Sequence, residues 1–257
     1  MTLTSSVTEP HAASVAVDTA AVAAIDLVRR YGEGEAAVEA LRGVTLTVPR
    51  GQFCAVMGPS GSGKSTLLHH LAGLDVPTSG SVMLDGHDLS AMSDDQLTRL
   101  RRDHVGFVFQ AFNLLATLSA EENIVLPMAL AGRQPDPAWL EAVLERVGLT
   151  ERRHHRPFAL SGGQQQRVAV ARAIVAEPTV LFADEPTGNL DSASGAEVLG
   201  LLREAVDAFG QTIVMVTHDA HAAATADRVL ILADGHLVCD LDDPSETEVV
   251  TALREAA

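Results

Sequence analysis

Lysine is nearly absent from this 257-residue chain, in which Lys64 is the only one. Acidic side chains outnumber basic ones by 34 to 18, which gives a formal net charge of -16. This balance argues against nonspecific binding to nucleic acid or to an anionic bilayer, because both require a positive field. The negative charge does not argue against binding to a protein partner.

Cysteine and long apolar runs are also scarce. Cys54 and Cys239 are far apart and lack the spacing of metal ligands, so a reduced cytosolic interior is the simplest context. No run reaches the roughly 18 apolar residues that a spanning helix needs, and the N-terminus lacks a secretory signal. We therefore expect that the chain does not itself cross a membrane. Residues 1–20, rich in Ser, Thr and Ala, are expected to form a mobile extension.

A glycine-rich loop surrounds the single lysine. It follows an apolar run with strand character at 53–57 and precedes a helical stretch at 65–71, a context that disfavours the alternative of a chance match in a Gly-Ser linker. Glycines let backbone N–H groups face phosphate oxygens, and the compact Lys64 ammonium reaches between the β- and γ-phosphates of a nucleoside triphosphate. Ser65 is predicted to bind magnesium. The loop residues are Gly58, Pro59, Ser60, Gly61, Ser62, Gly63, Lys64, Ser65 and Thr66.

Three further apolar runs end in polar residues. Continuous apolar runs are typical of strands buried on both faces of a parallel sheet, and ligands collect at the carboxyl ends of such strands. We expect these ends and the loop to converge on one nucleotide, although each polar residue taken alone could be a simple strand terminus. The run 105–109 ends at Gln110, the run 180–183 at Asp184 and Glu185, and the run 213–216 at Thr217 and His218.

The two adjacent acids are predicted to have separate roles. Asp184 is placed to hold magnesium, directly or through water, while Glu185 polarises a water for attack on the γ-phosphate. The alternative is a solvated surface pair, and the apolar run before Asp184 disfavours it.

Residues 160–167, Leu-Ser-Gly-Gly-Gln-Gln-Gln-Arg, predict the start of a helix. Ser161 is the expected N-cap, and Gln164 completes a capping box three residues later. Gly162 and Gly163 lie beside the helix N-terminus, where exposed N–H groups can receive an anion. Taken alone, the segment is only a well-capped helix.

In combination, the loop, the acidic strand end and the capped helix resemble the ATP-binding cassette (ABC) family. The resemblance extends from about residue 22 to about residue 240, and the motifs occur in the family's order. It implies an ATPase with ATP and Mg²⁺ as cofactors. Residues 58–66 resemble the Walker A loop, 161–164 the signature, 180–185 the Walker B strand and 189–191 the D-loop.

The resemblance also implies roles for single residues. Tyr31 matches the aromatic residue that stacks on adenine, Gln110 the Q-loop glutamine, and His218 the switch histidine that contacts the γ-phosphate. The implied catalytic residues are Glu185, His218 and Gln110, and the implied magnesium ligands are Ser65, Gln110 and Asp184. The implied nucleotide contacts outside the loop are Tyr31, Ser161, Gly162, Gly163 and Gln164.

The fold implied by the resemblance is α/β: a P-loop NTPase core with a RecA-like parallel sheet, an antiparallel β subdomain and an inserted α-helical subdomain at about 111–160. Residues 21–257 would form a single ABC ATPase domain. Apolar residues at helical spacing from Trp139 to Val147 support the insertion, and Trp139 is expected in the core rather than in a ligand platform. Residues 22 to about 57 and 81–89 are expected to form short strands of the antiparallel subdomain.

In proteins of this family, two ATP molecules lie between two copies of the domain. The chain carries one loop and one signature, so we expect a head-to-tail homodimer formed on ATP binding, with Asp191 bridging the halves. The physical reason is that a γ-phosphate at Lys64 keeps unmet charge, while the helix N-terminus at 161–163 keeps unmet donors.

Residues 74–80, 105–115 and 117–124 resemble the branch that contains lipoprotein-releasing and macrolide-exporting ATPases, although Ala116 stands where that branch often has proline. The branch implies an integral membrane permease of the FtsX/MacB type as partner, and a cytoplasmic location on the inner face of the cell membrane. The alternative is a soluble or cell-wall-regulating ABC ATPase that moves no substrate. The histidine pairs at 69–70 and 154–155 lack zinc spacing and are interpreted as surface or packing residues.

Overall fold

The computed structural model describes residues 19–32, 34 and 37–256. The predicted N-terminal extension lies outside the described residues except for its last two, and Ala20 already begins the first strand. The strands are β1 (Ala20–Tyr31), β2 (Val38–Pro49), β3 (Phe53–Met57), β4 (Ser79–Leu84), β5 (His87–Asp88), β6 (Val105–Phe109), β7 (Val180–Asp184), β8 (Thr212–Val216), β9 (Arg228–Ala233) and β10 (His236–Asp242). The helices are α1 (Lys64–Leu71), α2 (Asp94–His104), α3 (Ala120–Leu130), α4 (Pro137–Arg146), α5 (Gly162–Ile174), α6 (Ser192–Phe209), α7 (Ala220–Ala223) and α8 (Glu246–Glu255).

The larger sheet has the strand order β10-β9-β3-β8-β7-β6, and its pairs from β9 to β6 are parallel. Strands β3 and β8 are buried along their whole length, as the continuous apolar runs predict. Because the strands are parallel, the carboxyl ends of β3, β6, β7 and β8 lie at one edge of the sheet.

The smaller sheet is antiparallel, with the order β2-β1-β4-β5. The predicted extent of this subdomain was wrong in two respects. β1 and β2 have 12 residues each rather than being short, because several register shifts between them let the pairing continue past irregular positions such as Asp26, whose φ is 47°. β3 lies between β8 and β9 of the parallel sheet, where a run without polar alternation can be buried on both faces.

Alternate side chains of β3 enter two different cores. Phe53 and Met57 pack on the side of α5 and α6, whereas Cys54 and Val56 pack on the side of α1 and the antiparallel sheet. The period of two along a strand produces this division. The parallel sheet is therefore the central layer between two cores.

The segment between β6 and α5 contains α3 and α4, within the predicted helical insertion. Ser119 forms a complete capping box with Glu122 at the start of α3, and Asp136 caps α4. Trp139 packs edge-on against Phe209, and its ring N–H donates to the Val175 carbonyl at 3.2 Å. The indole thus serves packing, as expected. Among the described residues, the helices are too short or too polar for any of them to span a membrane.

Candidate functional site

The glycine-rich loop joins the end of β3 to the start of α1. Gly58, Gly61 and Gly63 all have positive φ. A Cβ at Gly58 would collide with the Leu232 carbonyl, and one at Gly63 with the Ala40 carbonyl, so side chains are excluded by space as well as by backbone conformation. No side chain caps the first turn of α1, which leaves its N–H groups for another acceptor.

Lys64 folds back over this loop. Its ammonium donates to the carbonyl oxygens of Gly58 at 3.0 Å and Pro59 at 2.9 Å. Burial lowers the pKa of Lys64, while the nearby carboxylates of Glu185 and Asp184 raise it. The Lys64 ammonium therefore lies near the carboxyl end of β3. Burial there makes its positive charge unfavourable, and the two nearby carboxylates partly balance this effect.

The end of β7 brings two acids to the same edge. Asp184 pairs in register with Phe109 of β6 and Val216 of β8, so the residues that follow these strands are neighbours. Burial raises the pKa of Asp184; Glu185 adds to this effect, whereas His69 and Lys64 lower the pKa. The register thus gathers the predicted strand-end residues beside the loop.

Glu185 and His218 form a direct pair. Nδ1 of His218 lies 2.9 Å from both carboxylate oxygens of Glu185. An ionised carboxylate only accepts hydrogen bonds, so the ring proton must be on Nδ1, and Nε2 of a neutral imidazole is an acceptor. The Glu185 side chain is only 21% exposed and His218 is 73% exposed, so the pair has an inner acid and an outer imidazole. Glu185 also has a φ of 48°, a conformation that is uncommon outside glycine and is concentrated at functional sites.

The predicted magnesium ligands all offer oxygen. Ser65 has a hydroxyl, Asp184 a carboxylate and Gln110 an amide oxygen, which is the hard donor type that Mg²⁺ prefers. Within the described ranges, no three His, Cys, Asp or Glu side chains cluster in a way that could hold a metal ion. Among the histidines of the two pairs, His70 is buried, and its Nδ1 lies 2.7 Å from the Thr66 carbonyl, which is a packing position.

Tyr31 lies at the end of β1. Its ring packs under the Arg29 guanidinium, 4.5 Å from the ring centroid, and its hydroxyl donates to Asp75 at 3.1 Å. Burial raises the pKa of Asp75, but hydrogen bonds from the Val76 backbone and Tyr31, together with the nearby His70 and Arg29, bring that pKa below its usual range. The tyrosine is anchored through its hydroxyl, and 42% of the residue's surface is exposed.

The signature segment forms the predicted capping box. Ser161 Oγ accepts from the Gln164 N–H at 3.2 Å, and Gln164 Oε1 accepts from the Ser161 N–H at 2.9 Å. Gly162 is exposed, whereas Gly163 is buried against Ser194 of α6. In the part of the chain that the structure describes, no hydrogen bond or ion pair joins residues 161–164 to the loop 58–66.

Asp191 caps α6 within its own chain. Its carboxylate accepts from the N–H groups of Ala193 and Ser194 and from the Ser194 hydroxyl. These contacts hold the D-loop against α5, because Ser194 is also the residue that packs on Gly163.

Two residues of α5 that the sequence analysis did not single out hold the Q-loop. The guanidinium of Arg172 donates to the carbonyls of Asn113 at 2.7 Å and Phe112 at 2.9 Å. Both of those residues have left-handed φ values, 52° and 57°. The sequence around Arg172 does not indicate this role, because the residues that Arg172 contacts lie about 60 positions earlier in the chain.

Gln166 is the second such residue. It is completely buried, and its Nε2 donates to the carbonyls of Pro186 at 2.6 Å and Phe109 at 3.3 Å. It therefore ties α5 to the segments that follow β7 and end β6. A glutamine among the apolar positions of a helix was the available signal, since a buried amide requires partners.

A glycine-rich loop with its lysine between a strand and a helix, and an acidic pair at the neighbouring strand end, define a P-loop nucleoside triphosphatase. Comparison with known proteins narrows this class. Residues 41–188 match the family model described as ABC transporter, and the chain belongs to this family as an ABC ATPase domain.

Curated relatives carry the same domain within longer proteins. The chain is 50% identical over 217 residues to the macrolide export ATP-binding/permease protein MacB of Marinobacter nauticus, covering 84% of this chain and 34% of the relative. It is 48% identical over 218 residues to the MacB of Chlorobaculum tepidum, covering 84% and 33%. The chain thus spans about a third of the length of these relatives.

Solved structures confirm the predicted fold. A dimeric, post-hydrolysis form of the ATP-binding cassette MJ0796 bound to ADP and Pi matches with a TM-score of 0.77 and 39% identity, over 87% of this chain and 99% of that one. The cbiO1 protein of Clostridium perfringens, part of the ABC transporter complex cbiONQ, matches with a TM-score of 0.79 and 29% identity, over 92% of each chain.

Proposed function

We propose that this chain is the ATP-hydrolysing subunit that drives a separate integral membrane permease, and that two copies close head to tail around ATP. The observation that carries the chemistry is the Glu185–His218 pair at the sheet edge that holds Lys64 and Asp184. The transport role is supported by the relatives named as export ATP-binding/permease proteins. The dimer is supported by the similarity to a dimeric cassette that this chain covers almost completely.

The loop binds the phosphates in this proposal. Lys64 exchanges its contacts to the Gly58 and Pro59 carbonyls for the β- and γ-phosphates, and the uncapped N-terminus of α1 adds N–H donors. Tyr31 stacks on adenine through the ring face away from Arg29.

Ser65, Asp184 and Gln110 would hold Mg²⁺, which when bound supplies positive charge to the triphosphate. Their oxygen donors fit that ion. The raised pKa of Asp184 also supports a role in holding Mg²⁺. A nearby cation stabilises a partly buried carboxylate more than it stabilises a solvated one.

Glu185 then accepts a proton from the attacking water. The water oxygen bonds to the γ-phosphorus as the bond to the bridging oxygen breaks, which leaves ADP and phosphate. His218 holds the carboxylate through the proton on Nδ1, and its exposed ring contacts the γ-phosphate through Nε2 when that nitrogen is protonated as well, because a phosphate oxygen only accepts. Gln110, next to the same strand end, contacts this reacting centre.

The second copy supplies the signature. Residues 161–164 make no hydrogen bond or ion pair to the loop of their own chain in the described structure, and the capping box leaves the N–H groups of the first turn beside Gly162 open. In the closed dimer these donors meet the γ-phosphate that the partner copy binds.

The dimer is tested with the Glu185→Gln variant in gel filtration with light scattering. With saturating Mg-ATP we expect the mass of two chains, since the variant binds ATP and does not release it by hydrolysis. The control is the Lys64→Ala, Glu185→Gln double variant, which should remain one chain. A Glu185→Gln protein that stays monomeric with bound Mg-ATP would rule out the sandwich.

The permease is tested by purifying the tagged Glu185→Gln chain from detergent-solubilised membranes of its own host. Mass spectrometry should find a stoichiometric permease with few spanning helices and a large external domain, which would place the chain on the inner face of the cell membrane. Recovery only in the soluble fraction, without a membrane partner, would exclude the transport role and leave the ATPase chemistry intact.

A further inference from the structure

The Q-loop and the D-loop meet through two side-chain amide contacts. Nε2 of Gln110 donates to Oδ1 of Asn189 at 3.2 Å, and Nδ2 of Asn189 donates to the backbone carbonyl of Gln110 at 3.0 Å. The two residues are 79 positions apart in the chain. Each loop therefore constrains the other within a single chain.

The chemistry of these contacts determines which way both amides face. A backbone carbonyl can only accept, so the Asn189 group that meets it must be the NH₂. Oδ1 is then the group that faces the Gln110 side chain, and because it too can only accept, Gln110 must turn its NH₂ toward Asn189. The remaining group of Gln110, the oxygen Oε1, points away from this contact.

Gly188 provides the space for this arrangement. A Cβ at Gly188 would lie 2.8 Å from Nε2 of Gln110, 3.2 Å from Cδ and 3.4 Å from Cγ. The Gln110 side chain thus crosses directly over the Gly188 backbone, where any other residue would displace it. Gly188 is itself tied to the catalytic strand end, because its N–H donates to the Glu185 carbonyl at 3.1 Å.

We propose that Asn189 is a positioning residue that orients the Gln110 amide so that its oxygen, and not its NH₂, is available to magnesium. The oxygen and nitrogen ends of an amide have almost the same shape, so shape alone does not orient Gln110. An NH₂ group toward a divalent cation is repulsive, whereas the oxygen is a ligand. The inference rests on the proposed function in one respect, namely that Gln110 ligates Mg²⁺.

The experiment measures how much Mg²⁺ increases nucleotide affinity. The full chain carries Glu185→Gln to prevent turnover, and a methylanthraniloyl-labelled ATP is titrated with EDTA and with Mg²⁺. Gln110→Ala gives the loss caused by removing the ligand. Asn189→Ala removes the orienting contacts, and Gly188→Ala displaces the Gln110 side chain by a separate route. Ser192→Ala, an exposed neighbour in the same region, is the matched control.

We expect Asn189→Ala and Gly188→Ala to lower the affinity for labelled Mg-ATP about tenfold, the usual effect of losing a contact behind a metal ligand, and to leave the affinity in EDTA unchanged. Combining Asn189→Ala with Gln110→Ala should add nothing to Gln110→Ala alone. The Ser192→Ala chain should match the parent.

Three kinds of result would overturn the inference, and they are distinguishable. If Gln110→Ala reduces the Mg²⁺ effect and Asn189→Ala does not, or if their effects add, Asn189 does not orient the amide. If Gln110→Ala itself leaves the Mg²⁺ effect unchanged, the proposed ligand role of Gln110 fails together with the inference, while the remainder of the proposed function is untouched. Loss of affinity in EDTA by Asn189→Ala would show a general structural role instead.

Discussion

Lys64 and Glu185 have neighbours that suit them to different tasks. Burial lowers the pKa of Lys64, and the ammonium is held by loop carbonyls that a phosphate can replace. Glu185 is mostly covered and is held at both oxygens by His218. In the proposed function, the lysine binds the ground-state phosphates and the carboxylate acts on one water.

This division predicts a separation of binding from turnover. Lys64→Ala should remove detectable ATP binding, whereas Glu185→Gln should bind ATP as the parent does and lose at least about a hundredfold in kcat, because the water loses its proton acceptor. Titration with labelled ATP and an assay of phosphate release measure the two effects. Equal loss of binding in both variants would contradict the separate roles.

At the scale of elements, α5 links the parts of the site. Its first turn carries the capping box, Gln166 reaches the segments beyond β6 and β7, and Arg172 holds the two left-handed residues of the Q-loop. Gly163 lets the helix approach α6 at Ser194. The segment after Gln110 is therefore hydrogen-bonded directly to the helix that begins at residues 161–164.

The two signature glycines should respond differently to alanine. At Gly163 a Cβ would lie 2.8 Å from Ser194 Oγ and 2.9 Å from Ser194 Cβ, whereas at Gly162 the nearest atoms lie at 3.8 Å. Both changes gain helix propensity, but Gly163→Ala must push α6 away. We expect Gly163→Ala to lower the Tm by about 3–6 °C and Gly162→Ala to leave it unchanged or slightly raised.

Thermal unfolding of the nucleotide-free chain measures this difference, with the parent scanned under the same conditions. Equal Tm values for the two alanine variants would mean that the contact between Gly163 and Ser194 is not close in solution.

At the scale of the whole molecule, the parallel sheet separates two cores, and Cys54 lies in the one covered by the antiparallel sheet. The pKa of Cys54 is raised to about 12, mainly by burial; Arg228 lowers it by a smaller amount, and Asp240 and Asp227 raise it by smaller amounts. Above about pH 8.5 the Cys54 thiol loses its proton in the unfolded chain but keeps it in the folded chain. The thiol's contribution to stability is therefore complete below about pH 8.5 and is lost as the pH rises toward 12.

We therefore expect Cys54 to react with iodoacetamide at pH 8 only when the molecule unfolds. A Cys239→Ala variant isolates this thiol, and intact-mass spectrometry follows its alkylation. The native rate should be at least about a hundredfold below the rate in guanidinium, because both the thiolate fraction and access are low. Native labelling as fast as denatured labelling would mean that the two covering layers do not close over the sheet.

Features that depend on neighbours in the chain could be predicted from the order of the residues alone. The loop 58–66 could be predicted because its glycines, lysine and hydroxyl act within one turn of backbone, and the capping box because Ser161 and Gln164 are three residues apart. The strand ends at Gln110, Asp184 and His218 could be predicted because each closes a continuous apolar run.

Contacts between these residues could not be predicted in this way, because they depend on how the strands align in the folded chain. The contact between Glu185 and His218 joins positions 33 apart, and that between Gln110 and Asn189 joins positions 79 apart. Neither pair leaves a local pattern, because each forms only when parallel strands align in register and bring their carboxyl ends together. The same reason explains why β3 belongs to the parallel sheet: its place is set by burial between two strands that come more than 150 residues later in the chain.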